Sequence, residues 1–252
     1  MGLLPTTKSI KKTDDPKNLI IFSLPKTGKT SALAQLDNCL IVDLEDGSNY
    51  VEGYVVKAKT WQDLRDIAKE LCTTQHPYKF VALDTLTALE EVSQDLACRL
   101  YQNTPMGKGW EYKNSTDILK LPNGGGYLYL REAMQTIIGW FEKTELNLVL
   151  VCHVKDKMIT DSASEEMSVK AIDLSGKISN ILSAKSDAIG YAYRDTEENK
   201  VYLNFGANTS IICSARPAHL NGKTILLSEM DDKGNLITHW DNVYPSLKHA
   251  KA

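Results

Sequence analysis

The 252-residue chain has no apolar run near the roughly 18 residues that a membrane-spanning helix needs. Its first residues lack the apolar core of a signal peptide, so the expectation is a cytoplasmic protein without a membrane partner. Excess charge is also missing. Twenty-nine basic and 32 acidic side chains leave a formal charge of -3, which excludes binding a polyanion through overall charge and leaves only local basic patches for that task. The five cysteines, Cys39, Cys72, Cys98, Cys152 and Cys213, are odd in number and contain no C-x-x-C. Most lie in apolar stretches such as "NCLIVD", "LVCH" and "IICS", so they read as buried reduced thiols rather than disulfides or metal ligands. There are no internal repeats. "MGLLPT" satisfies the acylation pattern M-G-x-x-x-[ST] through Gly2 and Thr6, a pattern short enough to arise by chance.

What is present points to one large α/β domain with appendages, since 42% of the residues are apolar and the length suits a single sizeable core. Residues 1–17, with Lys8, Lys11, Lys12 and Lys17, form a polar arm. Short apolar runs then alternate with segments of helical period, the pattern of a mostly parallel sheet covered on both faces. The runs are "NLIIFS" (18–23), "CLIVDLE" (39–45), "YVVKA" (54–58), "FVALD" (80–84) and "LNLVLVCH" (146–153). Between them three helical stripes read as core: Trp61, Leu64, Ile67, Ala68, Leu71; Leu86, Leu89, Val92, Leu96, Leu100; and Leu130, Ala133, Met134, Ile137, Ile138, Phe141. From about residue 188 the segments shorten and alternate, "AIGYAYR", "KVYLNF", "SIICSAR" and "KTILLSE", which adds antiparallel strands. The turn "DDKGN" followed by "LITHW" predicts a hairpin. The expected division is an arm at 1–17, a main α/β domain at 18–230 and a C-terminal hairpin and tail at 231–252. Two stretches, 102–126 and about 154–180, show neither period and read as long loops.

The chemistry centres on "FSLPKTGKTSALAQL" (22–36). Gly28, Lys29 and Thr30 supply the second half of the phosphate-loop pattern G-x-x-x-x-G-K-[ST], while Ser23 stands where its first glycine belongs. Such a loop turns backbone N–H groups around phosphates at a helix start, with a lysine reaching the terminal phosphates and a hydroxyl holding magnesium. The candidate nucleotide-binding residues are therefore Ser23, Pro25, Lys26, Thr27, Gly28, Lys29, Thr30 and Ser31. On this reading Ser23 only shapes the turn, so glycine in its place should leave function intact or improve it.

Magnesium also needs a carboxylate at the end of a neighbouring strand, and "FVALDT" places Asp84 there; an aspartate in that position also serves as a helix cap. "CLIVDLEDG" ends in Asp43, Glu45 and Asp46, on the rim where open α/β sheets bind ligands. A glutamate there can orient or deprotonate an attacking water; the alternative is a solvated acidic turn. His153 ends "LVLVCH" on the same rim, facing a phosphate or satisfying a structural bond.

The order of phosphate loop, "LIVDLEDG", "FVALDTLTAL", "LVLVCHVKDK" and "SIICSARPAHL" resembles the RecA superfamily of recombinase ATPases, and within it the short phage versions regarded as single-strand annealing or recombination ATPases. The resemblance covers about residues 18–225. It implies a RecA-like P-loop core with ATP and Mg2+ as cofactors. Lys29 and Thr30 then bind phosphate and magnesium, Asp84 supports magnesium, Glu45 activates water, and His153 senses the terminal phosphate. Arg216 would reach the nucleotide of a neighbouring subunit from a rigid edge after "SIIC"; pairing with a carboxylate of its own chain is the alternative. The chain departs from the family's pattern at Ser23, at His153 where glutamine is typical, and at Ser214 in a pair that is often doubly basic.

The resemblance also places DNA-binding loops at the two aperiodic stretches. In the first, Lys108, Trp110, Tyr112, Lys113 and Lys120 give a mild basic excess with aromatics available for base stacking. In the second, Lys155 and Lys157, with Lys170 and Lys177, are balanced by Asp156, Asp161, Glu165 and Glu166. The expected function is an ATPase that assembles into a ring or filament and binds single-stranded DNA to promote annealing or strand pairing in phage recombination. A single-stranded DNA-binding protein is a further expected partner. The rivals are a motor or loader ATPase acting on a protein such as a helicase, and a nucleotide-gated scaffold with little hydrolysis. A small-molecule kinase is disfavoured because no arginine-rich lid follows the phosphate-binding elements.

Overall fold

The computed structural model describes residues 13–160, 166–206, 208 and 210–249. Residues 1–12 of the polar arm, with the Gly2–Thr6 pattern, lie outside the described residues, as do Asp161 and Glu165. Five apolar runs form β1 (Asn18–Ser23), β2 (Cys39–Asp43), β3 (Tyr54–Lys57), β4 (Phe80–Asp84) and β5 (Asn147–Thr160). Between them lie the helices α1 (Lys29–Ala34), α2 (Trp61–Thr73), α3 (Leu86–Gln102) and α4 (Gly125–Glu142). The second half adds β6 (Glu166–Ile172), α5 (Ile178–Lys185), β7 (Ala188–Asp195), β8 (Lys200–Asn204), β9 (Ser214–Ala215), β10 (Thr224–Met230), β11 (Leu236–Thr238) and α6 (Ser246–His249).

Among the described residues the strands make one sheet in the order β11-β10-β8-β7-β1-β5-β4-β2-β3, with β6 on β5 and β9 on β7. From β3 across to β7 every pairing is parallel, and β8, β10 and β11 continue the sheet antiparallel. This is the α/β architecture expected from the alternation of buried runs and helical stripes. The central strands are apolar on both faces because both are covered. Ile20, Phe22, Val42, Leu83 and Leu150 face the stripes of α2, α3 and α4; Leu19, Ile21, Ile41, Ala82 and Val149 face α1 and the C-terminal segment.

The C-terminal residues are built into that second core. The Trp240 indole donates to the Ala32 carbonyl at 2.7 Å, and the fully buried Tyr244 ring meets Phe80 at 4.7 Å. Four cysteines are buried and unpaired, as expected, with burial pushing the Cys39 and Cys152 thiols up to about 12; Cys72 is exposed on α2. No helix among the described residues is long and apolar enough to cross a membrane.

Both stretches read as long loops are structured. In 102–126, short 3-10 turns at Ser115–Lys120 and Pro122–Gly124 bury Ile118 and lead into α4. There Gly126 packs so closely on the Ile118 carbonyl that a Cβ would lie 1.8 Å from its oxygen. In the second stretch β5 runs on past His153 and pairs antiparallel with β6, Val154 with Ile172 through to Thr160 with Glu166. Its consecutive charges hid this pairing, whose inward residues Val169, Ala171 and Ile172 are buried.

The strand residues that matter for chemistry lie level. Ser23 is in register with His153, Asp84 with Val151, and Asp43 with Asp84. Asp43, 3% exposed, folds the chain after β2 back on itself: its carboxylate accepts the amides of Glu45 (3.0 Å), Gly47 (3.3 Å) and Ser48 (3.0 Å), and the Ser48 hydroxyl. Burial alone would raise its pKa, but these donors outweigh burial and hold it below the ordinary value. A depressed carboxyl contributes stability that is present above its unfolded pKa and lost as pH falls through the folded one. Asp43→Asn should therefore destabilise the protein at neutral pH by about 2 kcal/mol, the scale of hydrogen bonds to a charged group. Thermal melts of native and variant chains should converge as pH drops through the acidic carboxylate range. A gap independent of pH would contradict this role.

Candidate functional site

Beyond β1 the chain must turn sharply into α1, and the backbone does so with Lys26 at φ 63° and Gly28 at φ 100°. Gly28 caps α1 in the left-handed region, where glycine carries no Cβ penalty. The Thr27 hydroxyl donates to the Leu24 carbonyl at 2.6 Å and ties the crest of the loop to its base. Pro25, Lys26, Thr27, Gly28, Lys29, Thr30 and Ser31 line one wall of a cleft of about 620 Å³; Glu45, Gly47, Tyr50, Val51, Asp84, Thr85, His153 and Arg194 line the rest. Ser23 lies beneath it, fully buried.

Two groups face each other across the loop. The Thr30 hydroxyl donates to Asp84 Oδ2 at 2.6 Å. Burial raises the Asp84 pKa, and the Thr30 bond and the Lys29 charge oppose the rise. The Lys29 ammonium donates to Ser23 Oγ at 2.7 Å and to the Leu24 carbonyl at 3.2 Å. Burial lowers its pKa, against the opposing pull of Asp84 and Glu45. Thr30 and Asp84 thus present two hard oxygen donors at one point. That suits Mg2+, which takes few protein ligands and fills its shell with phosphate and water. Among the described residues no cluster of three or more histidine, cysteine or acidic side chains could hold a metal ion alone.

Glu45 is held from two sides. Its Oε1 accepts from the Thr85 hydroxyl at 2.5 Å and lies 3.2 Å from His153 Nε2. The His153 Nδ1 is buried with no hydrogen-bond partner among the described residues. The acidic cluster divides, because Asp43 turns inward and Asp46 pairs with Lys57 at 3.1 Å and with Lys59 on the surface. Glu45 alone of the three lines the cleft.

Sequence reasoning missed Arg194, Thr85 and Tyr50. Arg194 is the penultimate residue of β7, the strand that pairs with β1 through Ala192 and Ser23. Its guanidinium lies 3.4 Å from the Thr27 carbonyl and 2.9 Å from the Asn199 side-chain oxygen. The signal was present, a charged residue after the apolar run "AIGYAY", as Asp84 and His153 follow theirs. Tyr50 ends the 3-10 turn after Glu45 and is 98% exposed at the cleft's edge.

Several expected site residues are placed elsewhere. Arg216, expected to reach a neighbouring chain, is engaged within its own. Its guanidinium bonds Asp187 Oδ1 at 3.1 Å and the Ala184 carbonyl at 2.7 Å, at the rim opposite the cleft. The strand before it is only Ser214–Ala215, so "SIIC" is not the rigid edge expected. Trp110 and Tyr112 do not offer free ring faces. Trp110 stacks on Tyr112 at 5.4 Å and meets Tyr101 edge-on at 5.2 Å, and the Tyr112 hydroxyl donates to Asp95 at 2.8 Å. Burying apolar ring area against α3 is the reason. Lys155 is also occupied, donating to the Leu174 carbonyl at 2.6 Å and pairing with Asp173 at 3.5 Å. Lys108, Lys113 and Lys157 make no ion pair among the described residues.

No curated protein matches the chain. Among solved structures it is similar to the crystal structure of the RadB recombinase, at 10% identity and a TM-score of 0.47 over 87% of this chain and 90% of that one. The AAA domain family matches residues 15–223, which include the phosphate loop, Glu45, Asp84, His153 and Arg194. The chain belongs to the AAA domain family.

Proposed function

We propose that the chain is an ATPase that holds ATP and Mg2+ in the cleft, assembles as a ring or filament, and acts on single-stranded DNA to promote annealing or strand pairing in phage recombination. The observation that carries the enzymatic part is the convergence of Lys29, Thr30, Asp84 and the Glu45–Thr85–His153 group on one cleft. A fixed loop, a half-buried ammonium and a carboxylate at hydrogen-bonding distance from a hydroxyl suit phosphoryl transfer, where positioning and electrostatics supply most of the catalysis. Bound magnesium would neutralise phosphate charge, with Thr30 and Asp84 as its protein-side oxygens.

Each residue then has a task. The amides of the loop and the Lys29 ammonium orient the phosphates. Thr85 and His153 engage Glu45 Oε1, which leaves Oε2 to accept a proton from the attacking water. The water oxygen bonds to the terminal phosphorus as its bond to the bridging oxygen breaks. His153 couples this acid to β5, which runs on into its pairing with β6. Arg194 lies at the far side of the loop from Glu45, placed to meet the rest of the nucleotide.

The DNA part rests on the resemblance and on three cations, Lys108, Lys113 and Lys157, that are not paired among the described residues. With Trp110 and Tyr112 packed internally, the contact would be to phosphates rather than stacked bases, so binding should weaken steeply with salt.

Glu45→Gln keeps the size of the side chain and removes the base. ATP should still bind while phosphate release falls by about two to four orders of magnitude; equal loss of binding would assign Glu45 a structural role instead. Phosphate release by the native chain should rise on adding single-stranded DNA, and the rise should vanish at high salt. Turnover indifferent to DNA but raised by a protein partner would favour the loader reading.

A further inference from the structure

Position 23 is where the phosphate-loop pattern has a glycine, and the usual argument for glycine is backbone freedom. Ser23 has no need of it: the loop's positive φ angles fall on Lys26 and Gly28. Ser23 instead ends β1 in regular parallel pairing, opposite His153 on one side and Ala192 on the other. It is fully buried, and both hydrogen-bonding capacities of its hydroxyl are used. The hydroxyl donates to the Leu24 carbonyl at 2.8 Å and accepts from the Lys29 ammonium at 2.7 Å.

We propose that Ser23 is a positioning residue, an acceptor that fixes the Lys29 ammonium in the orientation that meets the nucleotide's phosphates. The inference rests on the ATP-binding reading of the cleft. An ammonium has three protons and rotates freely. Ser23 Oγ and the Leu24 carbonyl take two of them, which sets the rotor and leaves the third for the side where Asp84 and Glu45 gather. A glycine at 23 would leave the Leu24 carbonyl as the single anchor. This replaces the expectation that residue 23 only shapes the turn, and it reverses the sign of the expected effect of glycine.

The test uses Ser23→Gly and Ser23→Ala in the full chain, each first checked for an unchanged thermal melt. Both lose the acceptor but differ in backbone freedom, so both should weaken binding of a non-hydrolysable ATP analogue by about tenfold, the low end for a hydrogen bond to a charged group. A second readout needs no nucleotide: nitrogen relaxation of the Lys29 ammonium in the free, lysine-labelled protein, which reports how firmly the group is held. Without the acceptor the ammonium has the Leu24 carbonyl as its single anchor and should become more mobile in both variants. Ser23→Gly binding the analogue as tightly as the native chain, or an ammonium no more mobile in either variant, would overturn the assignment. Failure of the native chain to bind the analogue would instead count against the ATP reading, and the mobility of the ammonium would then decide the role of Ser23.

Discussion

The shared register of the parallel strands is the constraint on which the site depends. β2, β4, β5 and β1 lie side by side with Asp43 opposite Asp84, Asp84 opposite Val151, and His153 opposite Ser23. A parallel ladder fixes these offsets through its backbone hydrogen bonds, so Asp43, Asp84, His153 and Ser23 arrive at one rim without needing a long-range side-chain contact to align them. A slip of one residue in any pairing would turn the closing side chain to the other face. The two cores hold the register, because each central strand is apolar on both sides and cannot slide without exposing one set or the other.

Gathering carboxylates on one rim creates an electrostatic problem, and the chain solves it differently for each. Asp43 is satisfied by three amides and a serine hydroxyl and becomes part of the scaffold. Asp84 is buried with a threonine hydroxyl and a lysine nearby, which leaves it poised to accept a cation. Glu45 remains partly open to the cleft, held at one oxygen only. The same rim thus carries a structural acid, a candidate metal-supporting acid and a candidate base, according to what donates to each.

Much of this was legible in the sequence. β1 and β4 match their apolar runs residue for residue, because a short buried strand bounded by polar residues leaves little freedom in its ends. The three helical stripes became α2, α3 and α4 for the same reason. Asp84, Glu45 and His153 were found because a polar residue closing an apolar run stands out. The pairing of β5 with β6 was hidden because the consecutive charges Lys155, Asp156 and Lys157 fall on both faces and break the two-residue period. The internal packing of Trp110 and Tyr112 depends on Tyr101 and Asp95, which no local pattern links to them. Ser23 was read as a weakened glycine because its partner Lys29, six residues on, meets it only after the loop has folded back.

The central claim is that this cleft binds a magnesium–nucleotide complex through the phosphate loop. Calorimetric titration of the native chain and of Lys29→Ala with a non-hydrolysable ATP analogue, with and without magnesium, tests it most directly. The account predicts saturable binding of one nucleotide per chain that weakens when magnesium is removed and is lost in the variant. Absence of saturable binding by the native chain, or binding unchanged in Lys29→Ala, would contradict it.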